Sequence, residues 1–441
     1  MPSCSDGGFR PIQYLGSKWR LLDVLEHVVD GLTDPGDPVC DLFSGSGVVA
    51  QRLARRRRVV AVDVQEYSRV ITSALLCPAV LPAGVVAATM LAARRRHQRL
   101  HHQIAKLAAH EAAAMRAALA GDAVPLCDVL EHGSILAFKR QGGEPPPALA
   151  ALLDDAAGTL AGGPDSVLTR YYGGLYFSYR QAAALDALAA AVRELPDPYR
   201  DTALAALLST TSEIVSTVGS QFAQPVRPRG GDGRPKVAAV AAVARKRRTP
   251  VLERYAGWLE RYQRLPGAVH RHAVIRSDYR SALAALPTGV GVIYADPPYT
   301  RDHYSRFYHV LETIALGDEP EISKVRIGRS ARLSRALYRA ERHQSPFCIR
   351  TEVTGAFRGL FEHAVKLGAP LVLSYSPYAT GTVARPRPRL VTIAEITELA
   401  GEYFTAVRVE SAGRIAHSKL NREQVNGEVA YDAEVLLVAR P

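Results

Sequence analysis

The chain has 441 residues, 47% of them hydrophobic, and a formal charge of +12. This length provides one large core and a second beside it, and the charge favours a polyanionic partner over an acidic small substrate. The five cysteines (Cys4, Cys40, Cys77, Cys127 and Cys348) show no paired spacing, which argues against a zinc site and for a reducing compartment. No apolar leader or membrane-length run is present. The expectation is a cytoplasmic protein with no membrane partner and no metal.

In chain order, residues 9–18 hold a glycine turn and a lysine, Gly16 and Lys18. Residues 19–32 place Leu21, Val24, Leu25, Val28 and Leu32 at helical spacing. Residues 38–43 read as a strand, followed by Ser44-Gly-Ser-Gly47, a helix from Val48 to Leu53, a second buried strand over 59–62 and then Asp63. Strand, glycine turn, helix, strand, acid is the signature of a parallel βαβ unit. Asp63 lies 22 residues after Asp41, the spacing at which an acid meets ribose hydroxyls in nucleotide folds. Only Gly45 and Gly47 are present, so the dinucleotide fingerprint lacks its third glycine. A pyrophosphate needs that close backbone approach, whereas a nucleoside with a cationic tail does not. Asp41 suits an ammonium. An ordinary βα turn with a structural acid fits the same residues.

Residues 78–265 change character. Residues 85–119 are alanine-rich and basic, reading as one long helix or two, and 182–195 and 199–218 are further helices. The aromatic run Tyr171-Tyr-Gly-Gly-Leu-Tyr-Phe177 precedes them. Residues 225–250 read as a basic loop with a short helix, ending in Arg245-Lys-Arg-Arg248. Any one basic run suits a solvated helix face. Several runs, with aromatics read as exposed, point to nucleic-acid contacts.

Strand and helix then alternate again: strands at 270–275 (followed by Ser277 and Asp278), 290–295 and 370–375, and helices at 355–367 and 393–403. Two last strands, 405–409 and 434–438, suit an antiparallel sheet edge. The 290–295 strand runs into Asp296-Pro-Pro-Tyr299. Each proline pushes the residue before it out of the helical region, so Asp296 and Pro297 are held extended at the strand tip. The stretch presents a carboxylate, a proline carbonyl and an aromatic face, which together match a planar amine. Asp-Pro is also common strand-ending punctuation.

With these pieces the chain resembles the Dam-like (D12 class) N6-adenine DNA methyltransferases. The resemblance rests on Tyr14-Leu-Gly-Ser-Lys18, Asp41-Leu-Phe-Ser-Gly-Ser-Gly47, Val62-Asp63 and Asp296-Pro-Pro-Tyr299, in the family's alpha order. It implies an α/β fold: a Rossmann-like sheet of the S-adenosylmethionine-dependent methyltransferases with an inserted, mainly helical target recognition domain. The catalytic domain would comprise 1–77 and 266–441, with the insertion at 78–265. The implied cofactor is S-adenosyl-L-methionine and the implied partner is double-stranded DNA. Tyr14 and Lys18 would touch the cofactor, Asp63 would bind its ribose, and Phe43 with Gly45 and Gly47 would shape its pocket. Asp278 matches in position an acid that contacts the cofactor's adenine. Asp296 would hold the target amine, with Pro297 and Pro298 fixing the motif and Tyr299 stacking on the flipped base. His303 and Tyr304 either line the same cleft or simply pack or face solvent. The DNA sequence read, and any restriction or phage-defence partner, are not written in these residues.

The motif also suits N4-cytosine methylation in DNA, which usually has Ser in place of Asp296, and N6-adenine methylation in RNA. A non-enzymatic nucleic-acid-binding module would not need Lys18, Asp63 and the glycine turn together. No cysteine follows a proline, which counts against the cysteine nucleophile of cytosine-C5 chemistry.

Overall fold

The computed structural model describes residues 9–141, 144–298, 304–328, 330–376, 390–411 and 434–441. Tyr299 and His303 lie outside the described residues. The chain forms two compact units: Met1–Pro78 with Leu265–Ser305 and His343–Pro441, and Ala79–Arg264 with Arg306–Arg342. Residues 306–342, assigned to the catalytic side on sequence, thus belong to the second unit.

The strands are β1 Val39–Asp41, β2 Val59–Asp63, β3 Ala273–Arg276, β4 Val292–Ala295, β5 Lys324–Ile327, β6 Ser330–Leu333, β7 Leu371–Tyr375, β8 Ala406–Ser411 and β9 Val435–Arg440. Seven of them form the sheet of the first unit, in the order β3-β2-β1-β4-β7-β9-β8. Neighbours from β3 through β7 are parallel, while β9 runs antiparallel to both β7 and β8. The last two strands therefore do make an antiparallel edge. β1, β2, β4 and β7 are apolar runs because both their faces are covered. Cys40, Val60, Ile293 and Leu373 pack under the helices Tyr279–Ala285, Val353–Lys366 and Ile393–Gly401. Val39, Ala61, Val292 and Val372 pack under Leu22–Asp30 and Val48–Leu53.

From β1 the chain moves to β2 on one side, and it later returns as β4 on the other. The crevice at the carboxyl ends of β1 and β4 is thus a topological switch point, where open α/β sheets bind ligands. Asp41 and Asp63 end their strands there, and Asp296 follows β4 directly.

The second unit is mainly helical, with one two-stranded ribbon, β5-β6. Residues 85–119 split into Ala83–Gln103 and Ala105–Leu119, and Ile104 (φ −112°, ψ 16°) breaks the helix. The structure adds helices at Val124–His132, Ile135–Gln141, Pro147–Thr159 and Val251–Gln263. The basic loop is tied down, since Arg229 pairs with Asp128 at 2.7 Å and Glu131 at 3.0 Å.

Two expectations for this unit are corrected. The aromatics Tyr171, Tyr172, Tyr176 and Phe177 are buried, so they form core rather than a stacking platform. The Tyr176 hydroxyl donates to the Phe222 carbonyl at 2.7 Å, and a buried phenol needs such a partner. Arg247 is likewise no surface cation. Its guanidinium is buried against Glu111 at 2.6 Å and donates to the carbonyls of Gly174 (2.9 Å) and Leu175 (3.2 Å). Glu111 in turn accepts the Tyr179 N–H at 2.8 Å.

Removing one partner of such a pair leaves a buried charge uncompensated, at about 3–5 kcal/mol. Arg247→Ala is therefore expected to lower the denaturant midpoint of this unit strongly, while Arg248→Ala at an exposed site leaves it nearly unchanged. Equal midpoints for the two variants in urea unfolding would contradict the assignment.

Candidate active site

The loop after β1 turns on two glycines, Gly45 at φ +53° and Gly47 at φ +74°, a region that side chains rarely adopt. Space excludes side chains as well. A Cβ on Gly45 would stand 2.6 Å from the Tyr14 hydroxyl, and one on Gly47 2.8 Å from Thr72 Oγ1. Asp63 braces the turn: its carboxylate accepts the Gly45 N–H and the Gln65 N–H, both at 2.9 Å. Burial raises the Asp63 carboxyl, although these two bonds and the Ser68 hydroxyl pull the other way.

Beside this turn lies a cavity of about 280 Å³. Tyr14, Phe43, Asp63, Asp278, Asp296 and Pro298 all line it. Its aromatic wall is built from Phe43, whose ring lies 5.8 Å from Tyr279 and edge-on to Phe347 at 5.6 Å. Across the mouth of the glycine turn, the Tyr14 and Tyr304 rings are 5.9 Å apart. Asp278 caps the helix Tyr279–Ala285, accepting the N–H groups of Arg280 (3.0 Å) and Ser281 (3.1 Å). Burial pushes its carboxyl up, but the Ser281 and Arg280 bonds outweigh burial and hold it below the ordinary range. An N-cap role accounts for Asp278 locally, and it still faces the cavity.

The remaining sequence-derived site residues stand behind the cavity wall. Gly45 and Gly47 set the turn, and Pro297 follows Asp296. The Lys18 ammonium is buried 2.8 Å from Asp296 Oδ2, 3.2 Å from Glu434 Oε1 and 3.1 Å from the Gly16 carbonyl it donates to. Asp41 is buried, and neither of its carboxylate oxygens has a hydrogen-bond partner. Burial, with Asp296 and Asp63 adding like charge, raises its carboxyl from the ordinary 3.8 to about 8. The Ala50 N–H only partly counters this, from outside normal hydrogen-bond geometry. Asp296 is also held above the usual carboxylate range by burial; Lys18 opposes the shift and Glu434 reinforces it. The Tyr294 hydroxyl, buried among these charges, has no partner either.

The site holds residues that sequence reading missed. Glu434 appeared only as the polar start of an apolar strand. His343 lines the cavity between the influences of Asp63 and Asp278, and burial lowers its imidazole while those carboxylates raise it. Tyr279 and Phe347 carried no motif. Among the described residues no group of three or more His, Cys, Asp or Glu side chains is arranged to hold a metal ion, and no helix is long and apolar enough to cross a membrane.

The Asp41 shift gives a stability signature. With the folded-state carboxyl raised, the folded protein binds more protons than the unfolded chain between about pH 4 and pH 8. Stability is therefore lost as pH rises through that window. Asp41→Asn removes the buried charge and should raise the Tm of the unliganded protein at pH 8, by roughly 2–4 °C per kcal/mol relieved. The gap should close toward pH 4. A variant that melts lower than wild type at pH 8 would contradict the assignment.

Residues 14–110 and 248–364 match the family model for the D12 class N6 adenine-specific DNA methyltransferase. No curated protein matches the chain. The matched segments contain Tyr14, Lys18, the glycine turn, Asp63, Asp278 and the Asp296 motif, and they extend into the helical unit at both ends. Over these two segments the chain is similar to the D12 class N6 adenine-specific DNA methyltransferases.

Proposed function

We propose that the protein transfers a methyl group from S-adenosylmethionine to the N6 amine of adenine in double-stranded DNA. The observation that carries this reading is Asp296-Pro297-Pro298 at the carboxyl end of β4, bordering a cavity walled by acids and aromatic rings. The chemistry of the donor set fits S-adenosylmethionine. Asp41 offers two buried oxygens without partners, Asp296 and Asp63 add like charge beside it, and the one lysine there, Lys18, is engaged by Asp296 and Glu434. Such a surplus of negative charge favours a ligand bearing an ammonium and a sulfonium. Asp41 would hold the ammonium, Asp63 the ribose hydroxyls, and Phe43 and Tyr279 the flanks of the adenine, with Asp278 at its edge. When bound, S-adenosylmethionine supplies an electrophilic methyl group.

The chain's own residues act on the acceptor. The adenine amine is a poor nucleophile because its lone pair is delocalised into the ring. Asp296 and the Pro297 carbonyl accept its two hydrogens, which favours a pyramidal nitrogen with a localised lone pair. Holding both reactants in line removes most of the entropic barrier, and no covalent enzyme intermediate is needed. Within a duplex the amine is out of reach, so the base must leave the stack. Tyr299 is the side chain placed by the sequence to stack on it, at about 1–3 kcal/mol per base. In the helical unit, exposed cations such as Arg94, Arg95, Arg99, Arg245 and Arg248 suit phosphate contacts, which supports a target-recognition role for that unit.

Duplex DNA treated with the protein and S-adenosylmethionine, digested and analysed by mass spectrometry, is expected to contain N6-methyladenine. Asp296→Ala should lose transfer while keeping its melting transition. Methyl label found as N4-methylcytosine, or in competing structured RNA alone, would overturn the substrate assignment. Substantial turnover by Asp296→Ala would overturn the mechanism.

A further inference from the structure

Glu434 precedes β9, the one strand of the sheet that runs against both its neighbours. The parallel strands deliver their carboxyl ends to the site, so a reversed strand delivers its amino end. The register pairs Val435 with Tyr375 and Leu436 with Ser374. Glu434 is thereby set beside the carboxyl end of β7, where the Ser374 hydroxyl donates to its Oε2 at 3.3 Å. Its other oxygen, Oε1, lies 3.2 Å from the Lys18 ammonium.

Lys18 thus has three acceptors in fixed directions: Asp296, Glu434 and the Gly16 carbonyl. Gly16, at φ +73°, holds a conformation that places that carbonyl. An ammonium has three donors, enough to serve these three acceptors. One oxygen of Asp296, Oδ2, is occupied by Lys18, which leaves Oδ1 to accept from an incoming amine. The charge of Lys18 is also divided between two carboxylates, so Asp296 is less neutralised than in a simple pair. Both effects serve an acceptor that must hold an amine hydrogen in one direction.

We propose that Glu434 is a positioning residue for methyl transfer, which locks Lys18 against Asp296 and preserves the acceptor strength of that carboxylate. This rests on the adenine-methylation reading above. It assigns Lys18 to orienting Asp296, in place of direct contact with the cofactor.

Glu434→Gln keeps the size and the Ser374 bond but removes the charge. Asp296 would then face Lys18 without a counterweight, with Asp41, Asp63 and Tyr294 unchanged around it. Its carboxyl should titrate lower, moving the acid limb of the kcat–pH profile down by about one unit. At neutral pH kcat should fall about tenfold, equivalent to about 1.4 kcal/mol, with KM for S-adenosylmethionine close to wild type. Glu434→Asp retains the charge and should keep the limb near its wild-type position. Melting curves recorded alongside separate this from loss of fold. A Glu434→Gln enzyme with wild-type kcat and limb would overturn the proposal. So would an unmoved limb with a kcat loss that tracks a lowered Tm. A wild-type protein that transfers no methyl group overturns the reading beneath it, and this inference with it.

Discussion

The Lys18 ammonium, 2.8 Å from Asp296 and 3.2 Å from Glu434, is the single buried cation at the crevice of the sheet among the described residues. It does not balance the acids there. Asp41 lies buried without a hydrogen-bond partner, and Asp63 adds a further carboxylate. A protein interior tolerates like charges at such range only where protonation, pairing or a ligand relieves them. The unliganded site therefore holds unfavourable electrostatics that a cationic ligand can relieve.

The sheet topology brings these groups together. Parallel strands carry Asp41, Asp63 and Asp296 to one edge, and the reversed β9 brings Glu434 to the same edge from the far end of the chain. The glycine turn closes the arrangement. Asp63 holds Gly45 by its N–H, and Tyr14 fills the space that a side chain on Gly45 would need. The N-terminal segment and the first βα turn thus depend on one another sterically, and Lys18 ties the same segment to Asp296 after β4. A change at any of them disturbs the carboxylates of the others.

Much of this was legible in the sequence. β1, β2, β4 and β7 stand out because strands covered on both faces are continuous apolar runs, and Asp41, Gly45, Gly47, Asp63 and Asp296 punctuate them. The antiparallel edge was legible from the two late apolar runs at 405–409 and 434–438. The contact of Glu434 with Lys18 was not, because it joins opposite ends of the chain and neither residue marks it locally. His343 and Tyr279 reach the cavity, and Phe347 backs its Phe43 wall, through packing, which spacing does not encode. Burial was the main failure in the helical unit. Tyr171 to Phe177 and Arg247 have the composition of a binding surface, yet they are core and a buried ion pair. Local composition does not state which side of a segment faces solvent.

We propose that the unpaired Asp41 carboxylate and its neighbours form a seat for the cationic end of S-adenosylmethionine. Titration calorimetry of S-adenosylmethionine into the wild-type protein and into Asp41→Asn tests it most directly. Saturable one-to-one binding to wild type is expected, weakened at least about tenfold in the variant, or roughly 1.4 kcal/mol. Equal affinity in the two proteins, or no binding to wild type, would contradict it.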